Sequence, residues 1–298
     1  MLMLGIELRE HAALAVLVGE DGEVRARAEA DGSRDLAASA IDALARVTAS
    51  NGAIASLGVS SIAPESPATA AALAALEPRF AGAFAHDGAV ASGTAAALAE
   101  AWIGPAKHAR DIVFFAVDEY TTAGIVRDGV AVTGAHGHGP AVAWLALNPV
   151  EREDYRRTGC LQTEAAAAGI VRRLVWRIKT GDRSRVEEMV DGDLSRITVA
   201  HVLDGARHDD GVAFSVVRDT AKYLGMAAAN LVAVADPEML VLGGLMASAA
   251  DLLLDPLRTE ITRRLPRFMI DALTIAPAAL GPDAAAIGAA RLAAAALR

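Results

Sequence analysis

The sequence predicts an α/β protein of two lobes with mixed sheets, and three observations lead to this prediction. The chain has 298 residues, which is long for one domain and comfortable for two. Apolar residues make up 53% of it, so it can bury a sizeable core. Two stretches show the same order, a meander of strands followed by alternating helices and strands, which indicates a duplicated lobe.

The first half begins with a meander of three strands. Residues 2–8 (LMLGIEL) and the apolar segment after His11 form the first two, and Glu20-Asp21-Gly22 turns the chain into VRARAEA. Apolar residues at a spacing of three to four predict a helix over 35–50. The elements expected next are a strand over 54–59, a short helix ended by Pro78, a strand over 80–88 and a helix over 89–104.

The second half is organised around residues 111–129, where two apolar runs meet at the polar turn Asp118-Glu119-Tyr120-Thr121-Thr122. Aromatic and β-branched residues in both runs predict a strand, a tight turn and a second strand, and Asp128-Gly129 predicts the next turn. A glycine-rich loop follows at 134–140. Helices are expected over 163–182, 198–206, 211–234 and 284–297, and strands over 239–244 and 273–277.

Composition excludes several functional classes. The formal net charge of −9 argues against direct nucleic-acid binding, and the basic stretch 172–179 is interpreted as a solvated helix face. No apolar run approaches the roughly 20 residues of a membrane helix, and the start lacks the pattern of a secretory signal. The single cysteine, Cys160, excludes an intrachain disulfide and fits a cytoplasmic location.

Several segments, in order, resemble the ROK family of sugar kinases and sugar-responsive repressors. They are TAAALAEAWIG at 94–104, the hairpin at 114–129, VTGAHGHGPAVAWL at 132–145, GCL at 159–161, VADPEMLVLGG at 234–244 and LGPDAAAIGAARLA at 280–293. The resemblance implies the two-lobed actin-like ATPase fold, a duplicated ribonuclease H-like architecture. It also implies an N-terminal lobe of 1–107 plus 284–298, a larger lobe of 108–283 and a homodimer.

The two phosphate turns implied by the resemblance depart from the family's glycine-rich pattern. The first turn reads Glu7-Leu8-Arg9-Glu10-His11 and contains no glycine. The second reads Asp118-Glu119-Tyr120 where the family has GTG, so two carboxylates stand where a nucleotide needs bare backbone. Both turns are therefore expected to be degenerate.

The catalytic base implied by the resemblance is an Asp at the start of the helix that ends in ALAE. His86-Asp87 resembles the family pair but lies five residues too far from Leu98-Ala99-Glu100, and the matching position holds Ser92. Asp87 is thus the one candidate base if an insertion follows it. Otherwise the base is lost, and Asp87 serves as a helix N-cap.

The sugar and zinc positions implied by the resemblance are also changed. Ala141 and Trp144 stand where the family has a sugar-binding Glu and His, and Gln162 stands where it has a second Glu. Only Cys160 remains of three zinc-binding cysteines, the other two positions being Glu153 and Tyr155, so no zinc is expected. His136 and His138 are interpreted as solvated loop residues.

The glycine pair Gly243-Gly244 keeps the pattern that the family places against adenosine, although tight turns need such glycines too. Three functions follow as hypotheses. The preferred one is a catalytically silent kinase homologue that binds a sugar-like ligand or acts in regulation. The alternatives are a divergent kinase that uses Asp87 and Mg-ATP, and a transcriptional regulator without its own helix-turn-helix.

Overall fold

The computed structural model describes residues 2–31, 35–49, 54–80 and 88–296. The chain forms two compact units, of which the first comprises Met1–Phe114, Ala123–Pro140 and Ala278–Arg298, and the second Phe115–Thr122 and Ala141–Pro277. The lobe boundaries expected from the sequence, 1–107 plus 284–298 and 108–283, stay a prediction.

The first sheet has five strands in the order β3-β2-β1-β4-β5. They are β1 Leu2–Leu8, β2 Ala12–Gly19, β3 Val24–Asp31, β4 Ile54–Ser61 and β5 Val90–Ala91. The meander β1-β2-β3 is antiparallel, whereas β1 pairs in parallel with β4, and β4 with β5. The carboxyl ends of β1, β4 and β5 therefore lie at one edge of this sheet.

The strands β1 and β2 are buried on both faces, because helices cover both faces of the first sheet. The helices are α1 Leu36–Thr48, α2 Pro67–Leu76, α3 Ser92–Trp102 and α13 Ala284–Ala296. On one face Leu4, Ile6 and Leu8 pack with residues of α1 and α2. On the other face Met3 packs with residues of α3 and α13. The alternation along β1 follows from the two-residue period of a strand.

Glycines let α13 approach the sheet closely. A methyl group at Gly5 would lie 1.9 Å from the carbonyl oxygen of Ala286, and one at Gly58 would lie 1.9 Å from that of Ala289. Gly288 has the same role toward α3, since its methyl would lie 1.7 Å from the carbonyl oxygen of Ala95. Backbone contacts at this distance require glycine.

The second sheet repeats the strand order of the first. Its strands are β6 Ile112–Val117, β7 Thr121–Arg127, β8 Val130–Ala131, β9 Met239–Gly244 and β10 Thr274–Pro277, in the order β10-β9-β6-β7-β8. Read from β8, the order is the meander β8-β7-β6 followed by β9 and β10, which matches the meander β3-β2-β1 followed by β4 and β5 in the first sheet. The duplication predicted from the sequence is confirmed.

The helices of the second unit lie between β8 and β9 and between β9 and β10 along the chain. They are α4 Glu153–Thr158, α5 Cys160–Ala165, α6 Ala167–Lys179, α7 Arg185–Met189, α8 Val199–Arg207, α9 Gly211–Ala235, α10 Leu245–Ser248, α11 Ala250–Thr262 and α12 Arg267–Ala272. Short 3-10 turns occur at Glu77–Arg79, Val142–Trp144, Leu194–Arg196 and Gly281–Asp283.

Two predicted helices differ from the structure. The helix expected from residue 89 begins at Ser92, because Val90 and Ala91 pair with Ser60 and Ser61 of β4 as a short strand. The helix expected over 163–182 is two helices, because the backbone of Ala166 is extended, with ψ at 163°. The strand expected over 80–88 falls mostly on residues 81–87, which lie outside the described residues.

Candidate functional site

The turn between β6 and β7 is closed by a side chain from α5. The side-chain oxygen of Gln162 accepts hydrogen bonds from the amide of Thr121 at 2.6 Å and from its hydroxyl at 2.9 Å. The side-chain nitrogen of Gln162 donates to the carbonyl of Glu119 at 2.7 Å. Within the turn, the amide of Asp118 donates to the carbonyl of Tyr120 at 3.0 Å. Two backbone amides of the turn that resembles a phosphate clamp, those of Asp118 and Thr121, thus already donate to acceptors of the protein itself.

The acidic residues of this turn face outward. Asp118 and Glu119 are exposed, and Tyr120 is half-buried. The carbonyl of Asp118 accepts from the amide of Ala167 at the start of α6, at 2.8 Å. The turn is therefore anchored through its backbone and through Gln162, and its two acidic residues are exposed to solvent.

Gly244 lies directly behind the same turn. Its φ is 60° and its ψ is −134°, a combination that only glycine adopts readily. A methyl group there would lie 2.4 Å from the carbonyl oxygen of Val117 and 2.5 Å from a carboxylate oxygen of Asp118. The end of β9 is thus packed against the acidic turn, and this packing gives Gly244 a structural role.

The first candidate turn, at 7–11, is held by Arg9. Its guanidinium contacts the buried carboxylate of Glu7, with an Nη2 to Oε2 distance of 2.7 Å, and donates to the carbonyl of Pro282 at 2.7 Å. The amide of Arg9 donates to the carbonyl of Ala12 at 2.8 Å. Arg9 therefore binds this turn to the segment that precedes α13, at a position where the family resemblance implies a glycine-rich loop.

The helix α3 begins at Ser92, the position that matches the catalytic Asp of the family. Ala91 is its N-cap, so the interpretation of Asp87 as the N-cap of this helix is wrong. Asp87 itself lies outside the described residues, and its assignment as a base stays a prediction. Ser92 is 5% exposed, and its hydroxyl has no hydrogen-bond partner within the described part of the chain.

The last turn of α3 carries a buried carboxylate. Glu100 is fully buried and accepts hydrogen bonds from the amides of Leu280 at 3.0 Å and Ala279 at 3.2 Å. Burial raises the pKa of Glu100 above its usual value, and the amide donors of Leu280 and Ala279 offset part of this rise. Glu100 therefore ties α3 to the segment before α13.

The positions that match the sugar-binding residues lie in different environments. Ala141 precedes the 3-10 turn Val142–Trp144 and Trp144 ends it, and both are exposed, with Trp144 at 55%. Gly159, with φ at 89°, approaches this segment so closely that a methyl group would lie 2.1 Å from the carbonyl oxygen of Ala143. The exposed Trp144 and the turn-bound Gln162 offer no carboxylate to a sugar.

A hydrogen-bonded cluster occupies the region that matches the zinc site of the family. The Tyr155 hydroxyl donates to a carboxylate oxygen of Glu164 at 2.6 Å, and Arg152 donates to the same oxygen at 3.2 Å. Arg173 binds the other oxygen at 3.3 Å and the Thr220 hydroxyl at 2.5 Å. Burial, followed by the bond to Glu164, raises the pKa of Tyr155 to about 12.

This cluster corrects the interpretation of residues 172–179 as a solvated face at one position, Arg173, whereas Arg172 and Lys179 are exposed. Arg173 points inward to Glu164 and Thr220, and Arg172 pairs with Asp154 at 3.0 Å. Among the residues that the structure describes, no group of three His, Cys, Asp or Glu side chains could hold a metal ion. His136 and His138 are exposed in their loop, and His138 lies 3.8 Å from Glu65.

No helix within the described ranges has both the length and the hydrophobicity to span a membrane.

The two sheets of matching strand order define the class of the protein as an α/β protein of the actin-like ATPase fold. A glucokinase of the ROK family from Streptomyces griseus, solved with glucose and AMPPNP, superposes with a TM-score of 0.81 at 20% identity, over 99% of this chain and 100% of that one. A ROK-family transcriptional regulator, a homologue of the Escherichia coli MLC protein, gives 0.84 at 20% identity, over 99% of this chain and 78% of that one.

The family itself is defined by sequence. The profile of the ROK family matches residues 88–296, more than two thirds of the chain. The chain belongs to the ROK family. The glucokinase of Halalkalibacterium halodurans is 32% identical over 197 residues, which are 65% of this chain and 59% of that protein. The dual regulator NagC of Escherichia coli is 29% identical over 174 residues, 58% of this chain and 41% of that protein. The chain thus spans about half the length of these relatives.

Sequence patterns did not predict the side-chain contacts that hold the β6–β7 turn and the Glu164 cluster. Gln162 and Thr121 are 41 positions apart, so their bond leaves no local pattern. The same holds for Arg173 and Thr220, which are 47 positions apart. An indirect sign was available at Glu164, because an acid inside an otherwise apolar helical stretch needs a buried partner.

Proposed function

We propose that this chain is a ROK-family protein that binds a sugar-like ligand without phosphorylating it and acts in regulation. The observation that carries the proposal is the β6–β7 turn. Its amide at Thr121 is taken by Gln162, and Asp118 and Glu119 place two carboxylates on it. A nucleotide phosphate needs free amide donors at such a turn and no negative charge.

The electrostatic cost of a nucleotide at this turn is large. Two unit charges of the same sign about 4 Å apart repel by about 4 kcal/mol at an effective dielectric constant near 20. Two carboxylates beside a triphosphate would impose this cost more than once. Ser92 supports the same conclusion, since a neutral hydroxyl at the start of α3 is a much weaker base than the aspartate of the family.

The test measures nucleotide binding and phosphate transfer on the full chain. Calorimetry with Mg-ATP and with a panel of hexoses is expected to detect a sugar but no nucleotide, and a coupled assay is expected to detect no ATP-dependent phosphorylation. Asp118→Asn should raise the affinity for Mg-ATP by removing one charge. The matched control is Asp128→Asn, at the exposed turn on the other end of the same hairpin strand. Transfer of phosphate to any hexose would overturn the proposal.

The alternative is a divergent kinase of a sugar or a similar small hydroxylated molecule, and the 32% identity to a glucokinase favours it. In this case Glu7, Asp118 or Glu119 would hold Mg²⁺ rather than repel phosphate, and Asp87 would be the base. Phosphate transfer that Asp87→Asn abolishes would establish this alternative.

A transcriptional regulator is the third candidate, favoured by the match to NagC. It requires a DNA-binding segment, either elsewhere in a longer chain or on a partner protein. Ligand-dependent capture of a DNA operator by the chain or by its complex would distinguish it from a ligand-binding protein that acts without DNA.

A further inference from the structure

A cluster of charged and hydroxyl side chains joins four helices of the second unit at one buried carboxylate. The side chain of Glu164 in α5 is 5% exposed. Its oxygens accept hydrogen bonds from the Tyr155 hydroxyl of α4 at 2.6 Å and from the Arg173 guanidinium of α6 at 3.3 Å. Arg173 also donates to the Thr220 hydroxyl of α9 at 2.5 Å. This carboxylate and its partners therefore link α4, α5, α6 and α9.

The residues at the positions that match the family's zinc ligands do not fit a zinc ion. Structural zinc takes four thiolate, imidazole or carboxylate ligands in a tetrahedron. The indole of Trp144 can only donate a hydrogen bond. The Tyr155 hydroxyl keeps its proton near neutral pH, because burial and the bond to Glu164 raise its pKa to about 12. The exposed Glu153 and the buried Cys160 remain, and these two groups do not complete a tetrahedral site.

The charges of the cluster depend on one another. Removal of a carboxylate from water is costly unless cations and hydrogen-bond donors surround it. Glu164 has both, since Arg152 lies 3.2 Å from one of its oxygens and Arg173 lies 3.3 Å from the other. Arg173 is itself only 19% exposed. Loss of Glu164 would therefore leave a largely buried guanidinium without the carboxylate that it contacts.

The short helix that carries Glu164 also carries Gln162, whose side chain holds the β6–β7 turn. This helix, α5, spans only Cys160–Ala165, and six residues have little helical stability of their own. Its orientation therefore depends on tertiary contacts. Glu164 binds it to α4 and α6, and two residues earlier the oxygen of Gln162 lies 2.6 Å from the Thr121 amide. A shift of Glu164 would move Gln162 away from the turn.

From these contacts we infer that the charge cluster around Glu164 takes the place of the family's zinc ion and holds α5 so that Gln162 bonds the Thr121 amide. Glu164 is thus a positioning residue, which acts through α5 and Gln162 on the β6–β7 turn. This role goes beyond the proposed function, because it concerns how the turn is held and not which molecule the chain binds.

Hydrogen exchange of single amides, followed by NMR on the full chain, measures this coupling. Glu164→Gln is expected to speed exchange of the Thr121 amide by about tenfold, because the turn opens more often. The Ser195 amide, which the Asp193 side chain holds at 3.1 Å in another turn of the same unit, should keep its rate. Glu153→Gln is the matched control, since it makes the same replacement at an exposed position of α4. An unchanged rate at Thr121, or an equal increase at Ser195, would overturn the inference.

Tyr155→Phe tests the same coupling with a smaller change, and it serves if Glu164→Gln does not fold. It removes only the 2.6 Å bond to Glu164 and keeps the ring, so it should speed exchange at Thr121 by about threefold. In a Gln162→Ala background it should have no further effect on the Thr121 amide, because the link to the turn is already lost. A further acceleration in that background would overturn the inference.

Thermal melts of the full chain with zinc chloride and with EDTA test whether a metal holds this region. Neither addition is expected to shift the melting temperature by more than about 1 °C, because a region that binds no zinc gains no stability from it. A rise with zinc that Cys160→Ala abolishes would overturn the inference. Phosphate transfer to a sugar would overturn the proposed function alone, since exchange and melting are measured without a ligand. An unchanged exchange rate at Thr121 in a chain that transfers no phosphate would overturn the inference alone.

Discussion

The side chain of Gln162 holds the backbone of Thr121, with its oxygen 2.6 Å from the Thr121 amide. The same oxygen accepts from the Thr121 hydroxyl at 2.9 Å, and the side-chain nitrogen donates to the carbonyl of Glu119 at 2.7 Å. One side chain therefore satisfies both a donor and an acceptor of the turn between β6 and β7. The amide group of a glutamine is suited to this role, because it offers an oxygen and an NH₂ side by side.

Replacement of Gln162 by alanine is expected to loosen this turn. The change removes three hydrogen bonds, and water replaces part of them because the turn is partly exposed, so we expect a loss of about 1–2 kcal/mol in the free energy of unfolding. Urea unfolding followed by circular dichroism measures this loss. Thr121→Val is the matched control, since it removes only the hydroxyl bond and should cost less.

The variant Gln162→Glu separates hydrogen bonding from size. A carboxylate accepts from Thr121 but cannot donate to the Glu119 carbonyl, and its charge adds to those of the exposed Asp118 and Glu119. The variant should therefore be less stable than the wild type at pH 7 and recover as the pH falls toward 4, where the carboxyl group gains a proton. Equal stability of the variant and the wild type at pH 7 would contradict the role of the donor.

The Tyr155–Glu164 bond predicts a change of stability in alkaline solution. The pKa of Tyr155 is raised to about 12, whereas a tyrosine in the unfolded chain titrates near 10. The folded chain holds this proton more tightly, so the stabilisation is complete below about pH 10 and is lost as the pH rises toward 12. Urea unfolding between pH 8 and pH 11 should show a decline that is smaller in Tyr155→Phe.

A second tyrosine provides the control for this prediction. Burial raises the pKa of Tyr223, and its ring lies 5.9 Å from the Arg173 guanidinium. Tyr223→Phe keeps the bond between Tyr155 and Glu164, so it should lose less stability at pH 7 than Tyr155→Phe. An alkaline decline of the same size in Tyr155→Phe and the wild type would show that another group causes it.

Local chemistry accounts for what the sequence predicted correctly. Asp128-Gly129 predicted a turn because these residues tolerate positive φ, and their φ values are 52° and 76°. The helix predicted over 35–50 spans Leu36–Thr48, and Asp35 is its N-cap, whose side chain accepts from the amide of Ala38 at 3.0 Å. The start of α3 was placed three residues early, since the pairing of Val90 and Ala91 with β4 depends on a distant strand.

The details of the candidate site depend on long-range contacts, and sequence patterns therefore could not predict them. Gln162 stands where the resemblance implies a glutamate, and its bonds to the turn join residues 41 positions apart. The helical spacing of the basic residues predicts a solvated position for Arg173, because spacing shows only which residues share a helix face. The buried carboxylate of Glu164 instead binds the Arg173 guanidinium on the inner side of the helix. Three-dimensional packing decides such pairs, and single-residue preferences carry little information about them.

The buried Glu100 predicts the opposite response to pH from an ordinary surface acid in an ion pair. Burial raises its pKa above 4.5, so the folded chain keeps the proton to a higher pH than the unfolded chain. Stability is therefore expected to fall as the pH rises from about 4.5 through the folded pKa. Glu100→Gln removes this titration, and its side-chain oxygen still accepts from the Leu280 amide.

The measurement for Glu100 is the difference in unfolding free energy between Glu100→Gln and the wild type, from urea titrations at pH 4.5 and pH 7. The variant should gain relative to the wild type at the higher pH. Glu10→Gln, which makes the same replacement at an exposed position, serves as the control for the change of a glutamate to a glutamine. A relative loss in Glu100→Gln at pH 7 would mean that the ionised carboxylate is the better acceptor for the amides of Ala279 and Leu280.

Substitution of Gly244 by alanine tests the packing behind the acidic turn. Its φ of 60° and ψ of −134° strain any other residue by about 1–3 kcal/mol, and the methyl group would lie 2.4 Å from the carbonyl oxygen of Val117. Gly129→Ala is the matched control, because Gly129 has a φ of 76° and open space around it. We expect urea unfolding to show a clearly larger loss for Gly244→Ala, since only that methyl meets backbone. Equal losses would mean that backbone strain alone lowers the stability and that the end of β9 can move away from the added methyl group without a loss of stability.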